Sequence, residues 1–525
     1  MHHLFKIYFV LAALNLTAQR NSDAYRSALS REVQTAIDYA LIQSPDVRIH
    51  SAFRPYTGKT LQLLKDSLVP FKFYGFKPQV VSAGKSKAGP LNILPLLELE
   101  PGYSALEQQL RSYTAGGLQI RWQAGRQLMV SANLLAGQAR LPFYMDTLLK
   151  EAKILPEFGL AKAEGGQYRF ADLSGYLSWT SKNRVFNLQA GRDKHFVGDG
   201  YRSILLSDFA APYPYLSAAA NIWKLQYNVW YTLLNDPTAA NGRRPSFRNK
   251  YGAFHYLSFN PHKSISIGIF ENVIWRGSDT SQSRIYELNY LNPLVFYRPQ
   301  EYAIGSPDNS FLGLNLAVTV ARRLKIYGQL GLDEFYLKEV KAGNGWWANK
   351  QAWQVGFKYV RAFGLKGLML QAEYNQVRPY TYSHGLTDQN YGHYGMPLAH
   401  PLGANFKEGL FLLQYLKGRW QFGADVTLSR QGKDSTRTGL NYGSDIFRSY
   451  TTRQAEYGNY TGQGVLHTLR QSHLRLAYLL VPSLQLKLEG GYIQRWISSS
   501  AGYSLQEPYV YLSLKTALWN RYRDY

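Results

Sequence analysis

The sequence predicts an all-β fold: a transmembrane, up-and-down antiparallel β-barrel of about 18 strands, with an N-terminal periplasmic helical segment. Three observations predict it. From about residue 90, apolar and polar residues alternate with a period of two. The linkers between alternating segments switch between short and long. The chain opens with an export-type segment, yet no later apolar run reaches the roughly 20 residues of a membrane helix.

At the N-terminus, His2, His3 and Lys6 precede the apolar run Ile7–Leu14, which ends at Leu16-Thr17-Ala18-Gln19. About 10 apolar residues are too few to span a bilayer, so residues 1–19 read as a signal peptide. Residues 20–89 read as the helical segment. Within it, 22–42 carries apolar residues at helical spacing (Ala28, Val33, Ala36, Ile37, Leu41) with Ser22 as the cap, and a second short helix falls at Thr60–Leu68.

Residues 90–525 read as the barrel. In "LMLQAEYNQV", Leu368, Leu370, Ala372 and Tyr374 oppose Met369, Gln371, Glu373 and Asn375. "LRLAYLL" and "FGADVTL" behave alike, setting Leu474 and Leu476 against Arg475, and Phe422 and Val426 against Asp425. A soluble sandwich alternates too, so the linkers decide. Strand-like segments fall at 90–102, 111–123, 126–138, 168–180, 184–192, 214–222, 224–235, 250–259, 264–275, 310–321, 324–338, 351–362, 367–378, 405–416, 419–430, 467–479, 484–497 and 508–519. Short linkers such as Ala124-Gly125 and Lys417-Gly418 take turns with long ones near 193–213, 276–309, 379–404 and 431–466. Middling linkers near 103–110 and 498–507 fall where long ones are due. Tight periplasmic turns and long outer loops give this pattern, and an even strand number returns both termini to the periplasm of a Gram-negative cell. Trp122, Trp179, Trp223, Trp230, Trp275, Trp353, Trp420, Trp496 and Trp519 lie near strand ends, where interfacial girdles need them.

Composition narrows the partners. Lys and Arg number 59 against 35 acidic residues, for a net charge of +24. That balance calls for an anionic partner, and export excludes chromosomal nucleic acid, leaving lipid headgroups or an acidic polymer. With no cysteine there is no disulfide, thiol nucleophile or cysteine metal site.

The stretch "GRDKHFVGDGYRSILLSDFAAPYPYL" (191–216) concentrates charge, glycine and aromatics in one long linker. It is no phosphate cradle, lacking both glycine-loop patterns. A Ser203/His195/Asp208 triad has no nucleophile elbow behind it. Two other readings compete. In one, Arg192, Lys194 and Arg202 set a positive field at the outer mouth. In the other, Asp193, Asp199 and Asp208 neutralise them and the loop is a plug. His384, His393 and His400, with Asp388 nearby, share a linker at spacings that match no zinc pattern. Arg298 with Glu301, and Asp308 with Asn309, sit where a long loop re-enters the barrel as structural pairs.

The same stretch, with "LNPLVFYRPQEYAIGSPDNSFLGLNL" (291–316), "QVRPYTYSHG" (376–385), "HPLGANFKEG" (400–409) and "NYGSDIFRSY" (441–450), resembles the capsule-assembly Wzi-like outer-membrane proteins, and among them the RemB-like gliding-motility branch. The resemblance implies an 18-stranded barrel with a periplasmic helical element, acting as a surface lectin for capsular polysaccharide or in gliding. It supplies no catalytic residues and no cofactor. The expectation is therefore a non-enzymatic surface protein in contact with outer-membrane lipid, acidic surface polysaccharide, and gliding or secretion machinery. Its candidate polysaccharide-binding residues are Arg192, Lys194, His195, Arg202, Arg298, Arg378 and Tyr380. A porin-like diffusion channel is the alternative, and a hydrolase the third class.

Overall fold

The computed structural model describes residues 24–44, 48–64, 81–86, 89–152, 154–236, 247–277, 284, 287–292, 308–435, 438–516 and 518–525. Eighteen antiparallel strands close into a barrel. They are β1 Gly89–Ser104, β2 Gln109–Ala124, β3 Leu128–Arg140, β4 Gln167–Thr180, β5 Phe186–Asp193, β6 Tyr213–Ile222, β7 Leu225–Asp236, β8 Arg248–His262 and β9 Ile265–Arg276. The circuit continues through β10 Asn309–Val320, β11 Leu324–Leu332, β12 Gln351–Val360, β13 Leu368–Val377, β14 Phe406–Lys417, β15 Trp420–Lys433, β16 Val465–Val481, β17 Leu486–Ser499 and β18 Tyr503–Thr516. Closure comes from β18 on β1, with Tyr509 opposite Ser104 and Lys515 opposite Glu98. All eighteen expected segments are strands, and the alternation assigns the faces correctly: Leu474 and Leu476 are exposed on the outside, while Gln371, Glu373 and Asn375 are buried inside.

Some boundaries moved, each for a local reason. The turns after β1 and β17 shrink to a few residues because the strands run further than their apolar phase. The segment after Leu332 leaves the sheet and forms a short helix, α4, at Leu337–Ala342. The helix expected from Ser22 begins only at Arg31: α1 spans Arg31–Gln43, and Ser30 caps it by accepting from the Val33 amide at 3.4 Å. Ser22 and the expected signal peptide lie outside the described residues. The second helix, α2, is Gly58–Leu63, and α3, Phe143–Ala152, belongs to the β3–β4 linker.

Among the described residues, the lumen is filled by the N-terminal segment, the 194–212 loop and the C-terminal tail, with parts of the 378–405 linker packed on the loop. At the short-turn end, α1 is tied to the wall by Arg31 on Asp425 (3.2 Å), Lys358 on Asp38 (2.6 Å) and Lys487 on Glu32 (2.8 Å). From the long-loop end, residues 194–212 descend until Gly198 donates to the Ala52 carbonyl at 2.7 Å and Phe53 pairs with Val197. The third piece is a correction. The last strand ends at Thr516, not 519, and residues 518–525 turn back inside, where Tyr525 is buried. Filling also explains two misplaced girdle residues. Trp230 points inward, stacked on Phe254 at 5.2 Å and His195 at 5.4 Å, and Trp519 lies in the inward-turned tail. Trp275 stays on the outer face, opposite in phase to Ile274 and buried under Tyr290 at 5.1 Å. The lumen around Trp230 is an apolar core, so its wall takes aromatics.

Candidate functional site

The descending loop is held by ion pairs from several directions. Arg202 is fully enclosed; it pairs with Glu408 at 3.2 Å and Asp524 at 3.3 Å, and donates to the Asp524 carbonyl at 2.8 Å. Its own amide donates to Glu373 at 3.0 Å. Asp199 pairs with Lys325 and accepts from Ser51 at 2.6 Å. Lys194 donates to the Asp208 carbonyl at 3.0 Å, and burial pulls its ammonium below the usual range. Arg192, at the rim, pairs with Asp172 at 2.7 Å and donates to the Leu173 carbonyl at 2.8 Å. His195 sits edge-on to Tyr215 at 4.5 Å, and burial lowers it to about 3, so it is uncharged at neutral pH. These contacts are those of a plug.

The structure does not bring Ser203, His195 and Asp208 together as a relay. Ser203 Oγ donates to the Val197 carbonyl at 2.6 Å, His195 meets Tyr213 at 3.4 Å, and Asp208 accepts from Asn520 at 2.7 Å. The three loop histidines also go separate ways. His400 meets Glu408 at 2.8 Å, His393 accepts from the Asn235 amide at 3.0 Å, and His384 accepts from Leu386 at 3.1 Å. Asp388 serves Arg276 at 2.6 Å. Asp308 pairs with Arg284 at 2.7 Å; Arg298 and Glu301 lie outside the described residues.

A different surface forms where the linkers 333–350, 378–405 and 434–464 meet at the long-loop end. Backbone bonds stitch them: Trp347 donates to the Glu456 carbonyl, Gly458 to Asn344 and Asn459 to Gly345, each at 2.9 Å. Gly345 has φ +69, and a Cβ there would meet the Asn459 backbone at 2.8 Å, so the close approach requires glycine. Lys350, buried between Asp333 and Glu334, lies 4.7 Å from the Tyr450 ring centroid. Above it, Trp347 packs on Tyr450 at 4.8 Å and carries the Arg453 guanidinium at 4.3 Å, with Trp346 and Tyr336 alongside. Tyr457 and Tyr460 stand 54% and 65% exposed beside them.

Two expected residues belong to this crown. Arg378 donates to the carbonyls of Asn349 (2.8 Å), Trp346 (3.4 Å) and Asn459 (3.5 Å), with no carboxylate partner among the described residues, and burial lowers its pKa. Tyr380 is buried under it, its hydroxyl donating to the Asn441 carbonyl at 3.0 Å, so it supports the surface rather than forming it. Trp346-Trp347 is not among the residues expected from the sequence. The available signal was a tryptophan pair inside a glycine-containing linker, away from any strand end.

A closed barrel with an apolar exterior, a plugged lumen and a crown of loops defines a class: plugged outer-membrane β-barrels. The match to known proteins is narrower. Residues 116–501, more than half of the chain, match the family model for capsule assembly protein Wzi, and the chain belongs to that family. A search of curated proteins finds no match. Among solved structures, the chain is similar to Escherichia coli Wzi, described as a carbohydrate-binding β-barrel involved in group 1 capsule assembly. The TM-score is 0.58 at 11% identity, covering 94% of this chain and 99% of that one. OprD of Pseudomonas aeruginosa (TM-score 0.42, 10% identity, 83% and 97% covered) and OccAB2 of Acinetobacter baumannii (0.42, 10%, 81% and 97%) also match.

Proposed function

We propose that this chain is a non-catalytic outer-membrane barrel that holds acidic polysaccharide at the cell surface through its crown, with the long-loop end outward and both termini periplasmic. The carrying observation is Trp347, flanked by Tyr450 and Arg453, with exposed tyrosines around it. Aromatic faces take the C–H faces of sugar rings, while guanidinium groups bind carboxylates in two-pronged fashion. Exposed Lys338 and Lys341 of α4, in the same linker, extend the positive field. The carbohydrate binding described for Escherichia coli Wzi agrees with this reading.

The test is retention of the cell's own purified surface polysaccharide by the folded barrel. Trp347→Ala and Arg453→Gln should release the polymer while the barrel stays heat-modifiable on gels; full retention by both variants rejects the crown as the site. The retained polymer serves capsule assembly or, following the RemB-like resemblance, gliding with partner machinery. A deletion strain scored for capsule retention and for spreading on agar separates the two. The channel alternative needs a lumen clear of folded chain, whereas α1, residues 194–212 and the C-terminal tail all pack within this one.

A further inference from the structure

Inside the barrel, independent of the crown, a chamber of about 130 Å³ lies between the N-terminal segment, the wall of β2–β4 and the start of the C-terminal tail. Two arginines face it. Arg121 of β2 is 5% exposed, and its Nε and Nη1 have no hydrogen-bond partner; its guanidinium lies 4.9 Å from the Tyr25 ring centroid. Arg26 is 9% exposed and donates to the Asn187 side chain and, at 3.4 Å, to the Tyr25 carbonyl. Neither forms an ion pair among the described residues. The Tyr176 hydroxyl accepts from the Arg26 amide at 3.0 Å and feels both guanidinium groups. The Trp519 indole N–H, on the same chamber, also lacks an acceptor.

The carboxylates nearby are engaged elsewhere. Asp172 takes Arg192, Asp208 accepts from Asn520 and Tyr522, and Asp193 accepts from the Lys194 amide at 2.8 Å. Glu157 accepts from the Tyr522 amide, and burial raises it to about 8, so it is largely neutral at pH 7. Arg121 and Arg26, with Lys194 also on the chamber, and an unanswered indole donor thus line a polar space in which neither arginine is ion-paired to Asp172, Asp193 or Asp208 among the described residues. Unpaired buried charge is strongly unfavourable, and a bound anion relieves it. A polar cavity needs only about 10–15 Å³ of such space per water, so a small oxyanion fits with waters around it.

We propose that Arg121 and Arg26 form an internal oxyanion site, which takes a sugar carboxylate or a free inorganic anion. The full-length folded barrel in detergent is titrated calorimetrically with inorganic phosphate, sulfate and glucuronate at constant ionic strength against chloride. At least one should bind saturably. Arg121→Gln should weaken it roughly ten- to hundredfold, the range expected for losing a charge-assisted hydrogen bond. Arg121→Lys, which keeps the charge and loses the fork, should fall between, and it carries the test if the glutamine variant does not fold. Phosphate or sulfate binding without glucuronate identifies a free anion; glucuronate binding identifies the sugar carboxylate. Trp347→Ala must leave this binding unchanged, which separates the chamber from the crown. No saturable binding by the parent, or binding that survives in both Arg121→Gln and Arg26→Gln, overturns the site.

Discussion

The plug loop 194–212 and the crown are built from the same residue types, and they do opposite things with them. In the plug, each cation named above meets a carboxylate or carbonyl supplied by the chain, as Arg202 does with Glu408 and Asp524. In the crown, the buried Lys350 is paired with Asp333 and Glu334. Nearer the surface, Arg378 rests, among the described residues, on carbonyls, and Arg453 lies across a tryptophan face, reaching the carboxylate of its near neighbour Glu456. The difference teaches that local charge density does not mark a ligand site. What marks it is whether the fold brings a neutralising partner from far away in sequence.

The sharpest way to break this comparison is to unpair the plug. Arg202→Gln leaves Glu408 and Asp524 buried without their cation, a loss of about 3–5 kcal/mol for a broken buried pair. The variant should unfold at clearly lower temperature in detergent, and its surface retention should fall with the fold. A normal melting temperature would mean that water or another cation replaces the guanidinium.

Next in size is the lipid face. Leu474, mid-strand in β16 and 48% exposed, should as arginine cost roughly 2–4 kcal/mol near the bilayer midplane and reduce assembly of heat-modifiable barrel. Normal assembly of Leu474→Arg would remove that face from lipid.

The crown should respond differently. Trp347→Ala removes a ring pair and a cation–π contact, together about 1–2 kcal/mol, so melting should fall only slightly, while loss of the aromatic face should weaken polysaccharide retention about tenfold. A drop in melting temperature as large as that of Arg202→Gln would make the crown a second plug.

How much of this was legible depended on range. The strands were, because alternation is a local signal: Leu474 against Arg475 shows its faces within two residues. The plug's partners were not, since Arg202 lies 206 residues from Glu408 and 322 from Asp524. The inward turn of Trp230 was hidden for the same reason. Its exposure depends on what fills the lumen, and nothing in β7 records that. Arg378 and Tyr380, expected as polysaccharide-binding residues, lie at the crown, but their division into surface and support needed the Asn441 and Asn349 carbonyls.

The smallest expected effect concerns pH, and it tests whether the plug's polar interior is as dry as its contacts imply. Glu157, in the β3–β4 linker, is raised from 4.5 to about 8 by burial. Its folded form therefore binds a proton that the unfolded chain has released, so its contribution to stability is full below about 4.5 and lost as pH rises towards 8. The buried histidines act in the opposite sense. His195 and His393 are lowered to about 3 and His384 to about 4, so their contribution is present above 6.5 and lost as pH falls below it. Between 4.5 and 6.5 the two effects oppose each other. Between 6.5 and 8 these histidines are neutral in both states, and Glu157 acts without them. Melting temperature should therefore decline across pH 6.5–8 in the parent, and the decline should be shallower in Glu157→Gln, whose amide never ionises. Parallel profiles for the two proteins would show that Glu157 is solvated and that the linker above the chamber is open to water.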